Sequence, residues 1–172
     1  MRIGIDLGGM SAKLGLVNEQ NEIVGKLVIP TRLDVPAREM VLDMARAVKT
    51  LSAEQGLKPE ELEGIGIGSP GTVDQKTGSI LYSNNFSWED VPILDILRED
   101  LGPVPMDIAN DAAAAALGEV CAGAAKGAQN AILLTLGTGV GGGVILDGRI
   151  FRGGVAGGCE LGHMVIVEGG EL

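Results

Sequence analysis

The sequence predicts an α/β fold: a mixed sheet with flanking helices, followed by the opening strands of a second, related domain. Three observations predict it. Short β-branched segments joined by tight turns open the chain, as in an antiparallel meander. Amphipathic helices then alternate with apolar strands, the pattern of parallel strands joined by helical crossovers. After Gly123 the opening order of strand, glycine turn and return strand begins again, an internal repeat.

Arg2–Leu7 reads as a strand with β-branched Ile3 and Ile5, and Gly8-Gly9 as a tight turn. Residues 13–17 and 22–29 complete the meander across a polar turn at Asn18 to Asn21. Asp34 and Pro36 are helix-start residues. Ala37, Val41, Met44, Val48 and Leu51 then recur three and four apart on one helical face, and Gly56 ends the helix. Residues 62–68 read as a fourth strand, whose Gly64, Gly66 and Gly68 predict a flat packing partner. Ser69 to Asp74 reads as a loop and residues 79–82 as a short extended piece leading to Asn84-Asn85-Phe86-Ser87-Trp88. Pro92 opens a second helix carrying Leu94, Leu97 and Leu101, with Gly102 as its stop. Residues 104–108 form a strand that runs into Asn110-Asp111 and five alanines, the best helix formers. The order β-β-β-α-β-α-β-α is that of a ribonuclease H-type mixed sheet. The repeat supplies strands at 130–136, 142–146 and 149–152, with Gly137-Thr138-Gly139 and Asp147-Gly148 as turns. The expected domains are 1–123 and an incomplete 124–172.

Composition narrows the function classes. A formal charge of −10 without a basic run speaks against a nucleic-acid partner. It leaves phosphate ligands open, because glycine loops bind phosphate through backbone N–H groups. Cys121 and Cys159 form no disulfide framework. The chain opens on a strand rather than a signal peptide. The uncharged run 127–146 is long enough to span a membrane, but its Gln129, Asn130, threonines and Gly141-Gly142-Gly143 argue against that. A cytoplasmic protein with no membrane partner is expected.

Asp6-Leu-Gly-Gly and Gly137-Thr138-Gly139 hold matching places in the repeat. Glycine turns close a backbone around phosphoryl oxygens without side-chain obstruction. Two such hairpins facing each other could hold a triphosphate, with Asp6 orienting a hydrated Mg²⁺. Neither is a Walker A loop. Gly139-Val-Gly-Gly-Gly is not a dinucleotide fingerprint, because strand residues Val144-Ile-Leu146 follow it rather than a helix. Asp111 lies at a strand's carboxyl end, where α/β sheets bind ligands. Taken alone it fits a helix cap better than a catalytic base. His163, the single histidine, reads alone as a structural or surface group.

Taken together, several motifs resemble the ROK family of repressors, open reading frames and sugar kinases, and within it the bacterial glucokinases. They are Asp6-Leu-Gly-Gly, Gly68-Ser-Pro-Gly-Thr-Val-Asp74, Asn85-Phe-Ser-Trp88, Asn110-Asp111-Ala with Ala-Ala-Leu-Gly-Glu119, Leu136-Gly-Thr-Gly-Val-Gly-Gly-Gly143 and Glu160-Leu-Gly-His163. The resemblance spans nearly the whole chain and implies the ribonuclease H-like fold shared by actin and the hexokinases. It implies ATP-dependent phosphorylation of a hexose hydroxyl, that of glucose above all. Asp111 becomes the general base. Gly71, Asn85, Asn110, Glu160 and His163 become sugar ligands, and Gly8, Gly9, Gly137, Thr138 and Gly139 hold ATP phosphates. His163 also ligates a structural zinc in the family, completed by cysteines downstream of it. Phosphoryl transfer asks a protein mainly for positioning and charge neutralisation, with one carboxylate to take a proton.

The sequence departs from this pattern at Met10, which replaces a threonine after Gly-Gly, and at Ala109, Ala113 and Cys159. It also stops at Leu172, ahead of the zinc cysteines. The expectation is a truncated, weak or inactive kinase whose half-built second domain dimerises or swaps through an open sheet edge. The competing expectation is a sugar-binding sensor without catalysis, lacking the repressors' N-terminal helix-turn-helix.

Overall fold

The computed structural model describes residues 1–137, 139–153 and 159–169. In chain order the elements are β1 (Arg2–Leu7), β2 (Ser11–Val17), β3 (Ile23–Pro30), α1 (Ala37–Ala53), β4 (Gly64–Ser69), β5 (Thr72–Asp74) and β6 (Ser79–Ser83). There follow β7 (Trp88–Val91), α2 (Ile93–Leu101), β8 (Met106–Asn110), α3 (Asp111–Ala122), β9 (Ala131–Leu136), β10 (Val140–Leu146) and β11 (Arg149–Ile150). They fall into two compact units, Met1–Asp111 and Ala112–Leu172. The sequence places the domain boundary after Gly123; the compact units divide twelve residues earlier, at the first turn of the alanine helix.

In the first unit a five-stranded sheet has the order β3-β2-β1-β4-β8. β1, β2 and β3 are antiparallel, while β1 pairs parallel with β4 and β4 parallel with β8. This is the mixed ribonuclease H-like sheet of the sequence reading. Period-two alternation turns Ile3, Ile5 and Leu7 inward beside Ile65, Ile67 and Ile108. Val41, Met44, Val48 and Leu51 of α1 and Leu94, Leu97 and Leu101 of α2 close the same core. A fully buried side chain of this size stabilises by about 1.5–3 kcal/mol. On the opposite face Gly4 pairs with both Gly15 and Gly66, and a Cβ added at Gly4 or Gly66 would meet no atom within 4 Å. The flat partner expected over residues 62–68 is therefore not present at Gly66.

A second sheet, β5-β6-β7, takes in the extended piece read at 79–82 as β6 and adds β5, in what the sequence reads as loop, and β7. Its strands are three to five residues long and rich in turn formers, so no period emerges. Ser87 and Asp90 adopt positive φ of 53° and 50°, letting Trp88 and Val91 turn inward from a polar segment.

In the second unit β9, β10 and β11 form an antiparallel sheet. Gly143 lies against α3 so closely that a Cβ would stand 2.6 Å from the Ala116 Cβ and from the Ala112 carbonyl oxygen. The alanine run and the glycine run are thus two halves of one close contact. No helix among the described residues is long and apolar enough to cross a membrane.

Arg38 on α1 pairs with Glu99 on α2, and Lys49 with Asp100 at 2.7 Å. The hydrogen bond from the Arg38 guanidinium holds Glu99 below the usual glutamate range, and the N-terminal ammonium does the same for Glu63. A carboxylate held lower in the folded state stabilises fully above its unfolded value, about 4.3, and loses that contribution as pH falls through its folded value. Stability should therefore drop on acidification below about pH 4.3. Urea midpoints recorded at neutral and acid pH should fall less steeply for Glu99→Gln than for the parent chain.

Candidate functional site

The parallel ladder of the first unit builds a site at one edge. Asp6 pairs with Gly68, and Gly68 with Ala109, so three strands end side by side. Three turns leave together from those carboxyl ends, where ligands of such sheets bind. Gly8-Gly9 follows β1, Pro70-Gly71 follows β4, and Asn110-Asp111 ends β8 and opens α3.

The first turn is braced. Gly8 N–H donates to the Ser11 carbonyl at 3.0 Å, and the Thr31 hydroxyl donates to the Gly8 carbonyl at 2.6 Å. The Thr31 N–H donates to the Met10 carbonyl at 3.1 Å. A Cβ at Gly9 would meet nothing within 4 Å, leaving its backbone open to a ligand. The Met10 side chain is 90% exposed. Asp6 is exposed and faces Lys13 Nζ at 3.3 Å. Thr31 escaped sequence reasoning because its role is set by a turn 23 residues away.

At the second turn Gly71 has φ 89°, and a Cβ there would stand 2.2 Å from the Tyr82 carbonyl oxygen. Only glycine fits. The Gly71 carbonyl accepts from Asn110 Nδ2 at 3.4 Å, which ties the second turn to the third. Asn110 is half-buried and Asp111 exposed at the first position of α3. Asn85 is exposed between β6 and β7, on a turn anchored by Phe86 and Trp88, whose rings stand 4.9 Å apart. The structure thus brings Gly8, Gly9, Gly71, Asn110 and Asp111 to one sheet edge, with Asn85 on the adjoining small sheet.

In the second unit Gly137 and Gly139 enclose a turn closed by Gly137 N–H donating to the Gly139 carbonyl at 3.0 Å. Thr138 lies outside the described residues. A Cβ at Gly137 or Gly139 would meet nothing within 4 Å. Glu160 and His163 are exposed on either side of a short 3-10 turn, Leu161–His163. That turn packs on β10: Leu161 covers Gly142, and a Cβ at Gly162 would stand 2.0 Å from the Val140 carbonyl oxygen.

Metal fit differs between the two implied ions. Among the described residues no three His, Cys, Asp or Glu side chains gather to hold a metal. The zinc of the family pattern does not fit them: His163 is exposed, and the Cys159 thiol donates to the Phe151 carbonyl at 2.8 Å. Mg²⁺ needs less, since it keeps its waters and takes one or two carboxylates besides substrate phosphates. Asp6 is an exposed carboxylate of that kind, three residues before Gly9 and paired with Lys13.

The mixed sheet and the glycine turns define the class, an actin-like ATPase fold. The chain belongs to the ROK family, whose model matches residues 2–172. A glucokinase from Halalkalibacterium halodurans is 41% identical over 98% of this chain and 51% of its own length. The ROK hexokinase of Thermus thermophilus superposes with a TM-score of 0.87 at 38% identity, over 98% of this chain and 54% of that one. A ROK glucokinase from Streptomyces griseus, solved in complex with glucose and AMPPNP, gives a TM-score of 0.82 at 35% identity, over 96% and 51% of the two chains. The chain spans about half the length of the curated relatives it matches.

Gly71→Ala should destabilise the first unit by about 1–3 kcal/mol, the cost of forcing a side chain into this backbone region. Urea denaturation followed by Trp88 fluorescence measures it.

Proposed function

We propose that this chain carries the sugar- and phosphate-binding parts of an ATP-dependent hexokinase that phosphorylates a hexose such as glucose. The observation that supports this best is the common edge at which β1, β4 and β8 end, because it brings phosphate-binding turn, sugar-binding amide and carboxylate together.

Asp111 takes the proton from the sugar hydroxyl as its oxygen attacks the γ-phosphorus and ADP leaves. Asn110, Asn85, Gly71, Glu160 and His163 hold the remaining hydroxyls in place. Gly8, Gly9, Gly137, Thr138 and Gly139 cradle the phosphates through backbone N–H groups. Asp6 would hold a hydrated Mg²⁺, which when bound would supply charge neutralisation at the phosphoryl oxygens. The two compact units then represent a first ribonuclease H-like domain and the opening of a second. A cytoplasmic location without nucleic-acid or membrane partners belongs to the same reading.

Calorimetric titration with glucose and then AMPPNP tests this function. Binding of both supports a kinase; glucose without nucleotide supports the sensor reading; neither contradicts both. Asp111→Asn should keep glucose affinity within about tenfold while phosphoryl transfer falls about 10²–10⁴-fold in an ADP-release assay.

We also propose self-association through β9. It is an outer strand whose Ile132, Leu134 and Leu136 are 70%, 56% and 81% exposed. Such edges pair with other chains. Sedimentation should show a dimer that Leu134→Lys converts to monomer.

A further inference from the structure

β8 is an outer strand of the five-stranded sheet; Asn110 is its last residue and Asp111 follows directly as the first of α3. In a parallel ladder every second residue of an outer strand turns its carbonyl away from its neighbour. Both backbone polar groups of Ile108 take side-chain partners. Its N–H donates to Asp107 Oδ1 at 2.9 Å, and its carbonyl accepts from Gln75 Nε2 at 2.6 Å.

Gln75 comes from the turn between β5 and β6, and that turn is fixed at several points. Asp74 Oδ1 accepts from the Lys76 N–H at 2.9 Å. Gly78, at φ 69°, lies so close to Leu94 that a Cβ would stand 2.7 Å from it, and its carbonyl accepts from the Leu94 N–H at 3.1 Å. β5 is therefore joined to β8 at both of its ends. At one end Asn110 reaches the Gly71 carbonyl at 3.4 Å; at the other Gln75 reaches Ile108 at 2.6 Å. The second link is much the shorter and is half-buried.

We propose that Gln75 is a positioning residue: its amide pins the end of β8 so that Asn110 and Asp111 are held ready for the sugar. This rests on the sugar-kinase reading. Gln75 itself touches neither substrate nor reacting atoms. Its contribution is to hold the strand end through a 2.6 Å bond to the Ile108 carbonyl, two residues before Asn110. A packing role would be kept by any side chain of similar volume. A positioning role needs a donor.

The test compares Gln75→Leu and Gln75→Glu, which have no donor at neutral pH, with Gln75→Lys, which has one. Glucose affinity should fall about tenfold in the first two and return to within about threefold of the parent in Gln75→Lys, as expected for losing one partner of a half-buried bond. The Asn110 side-chain amide signals in ¹⁵N NMR should shift in the first two variants and stay in place in the third. If Gln75→Leu fails to fold, Gln75→Glu and Gln75→Lys carry the comparison. Parent-like affinity and unmoved Asn110 signals in the donor-free variants would overturn the proposal. If the parent chain takes up no glucose, the sugar reading fails on its own, and the Asn110 signals still decide the positioning role.

Discussion

Parallel pairing of β1, β4 and β8 is the constraint on which the rest of the first unit depends. In an antiparallel arrangement neighbouring strands would end at opposite edges, and the three turns would be scattered. Here the register Asp6, Gly68, Ala109 aligns the ends, and Gly8, Gly9, Gly71, Asn110 and Asp111 follow within a few residues, while Asn85 comes from the small sheet. Parallel pairing in turn demands crossovers, and α1 and α2 supply them. Their apolar stripes and the inward residues of the sheet form one core, so the same burial that stabilises the unit fixes the edge.

Glycine carries a second share of the design. A glycine inside a strand weakens it by about 0.5–1 kcal/mol relative to alanine. At Gly143 of β10 that cost is offset by close contact with Ala112 and Ala116 of α3, where an added Cβ would not fit. At Gly71 it permits a backbone that other residues resist. At Gly9, Gly137 and Gly139 no packing calls for it, and the open backbone is what a phosphate ligand would use.

The sequence was most readable where periodicity and burial agree. α1, α2, the meander and the strand before Asp111 follow directly from spacing. Of the small sheet only β6 was legible, as the extended piece at 79–82; β5 and β7 are too short to show alternation, and Ser87 before β7 and Asp90 within it take positive φ without being glycine. The Asn110-Asp111 junction stood out because an apolar strand meets an alanine run there. Gln75 and Thr31 gave no signal. Each works through a hydrogen bond to a backbone atom 33 or 23 residues away, and such bonds leave no local pattern.

The central claim is that the edge carrying Asn110 and Asp111 receives a sugar hydroxyl. A crystal structure of this chain grown with saturating glucose tests it most directly. The account predicts a hexose bound at the end of β8, one hydroxyl within hydrogen-bond distance of an Asp111 carboxylate oxygen and another on the Asn110 side chain. A hexose seated elsewhere, or an Asp111 carboxylate turned away from the bound sugar, would contradict it.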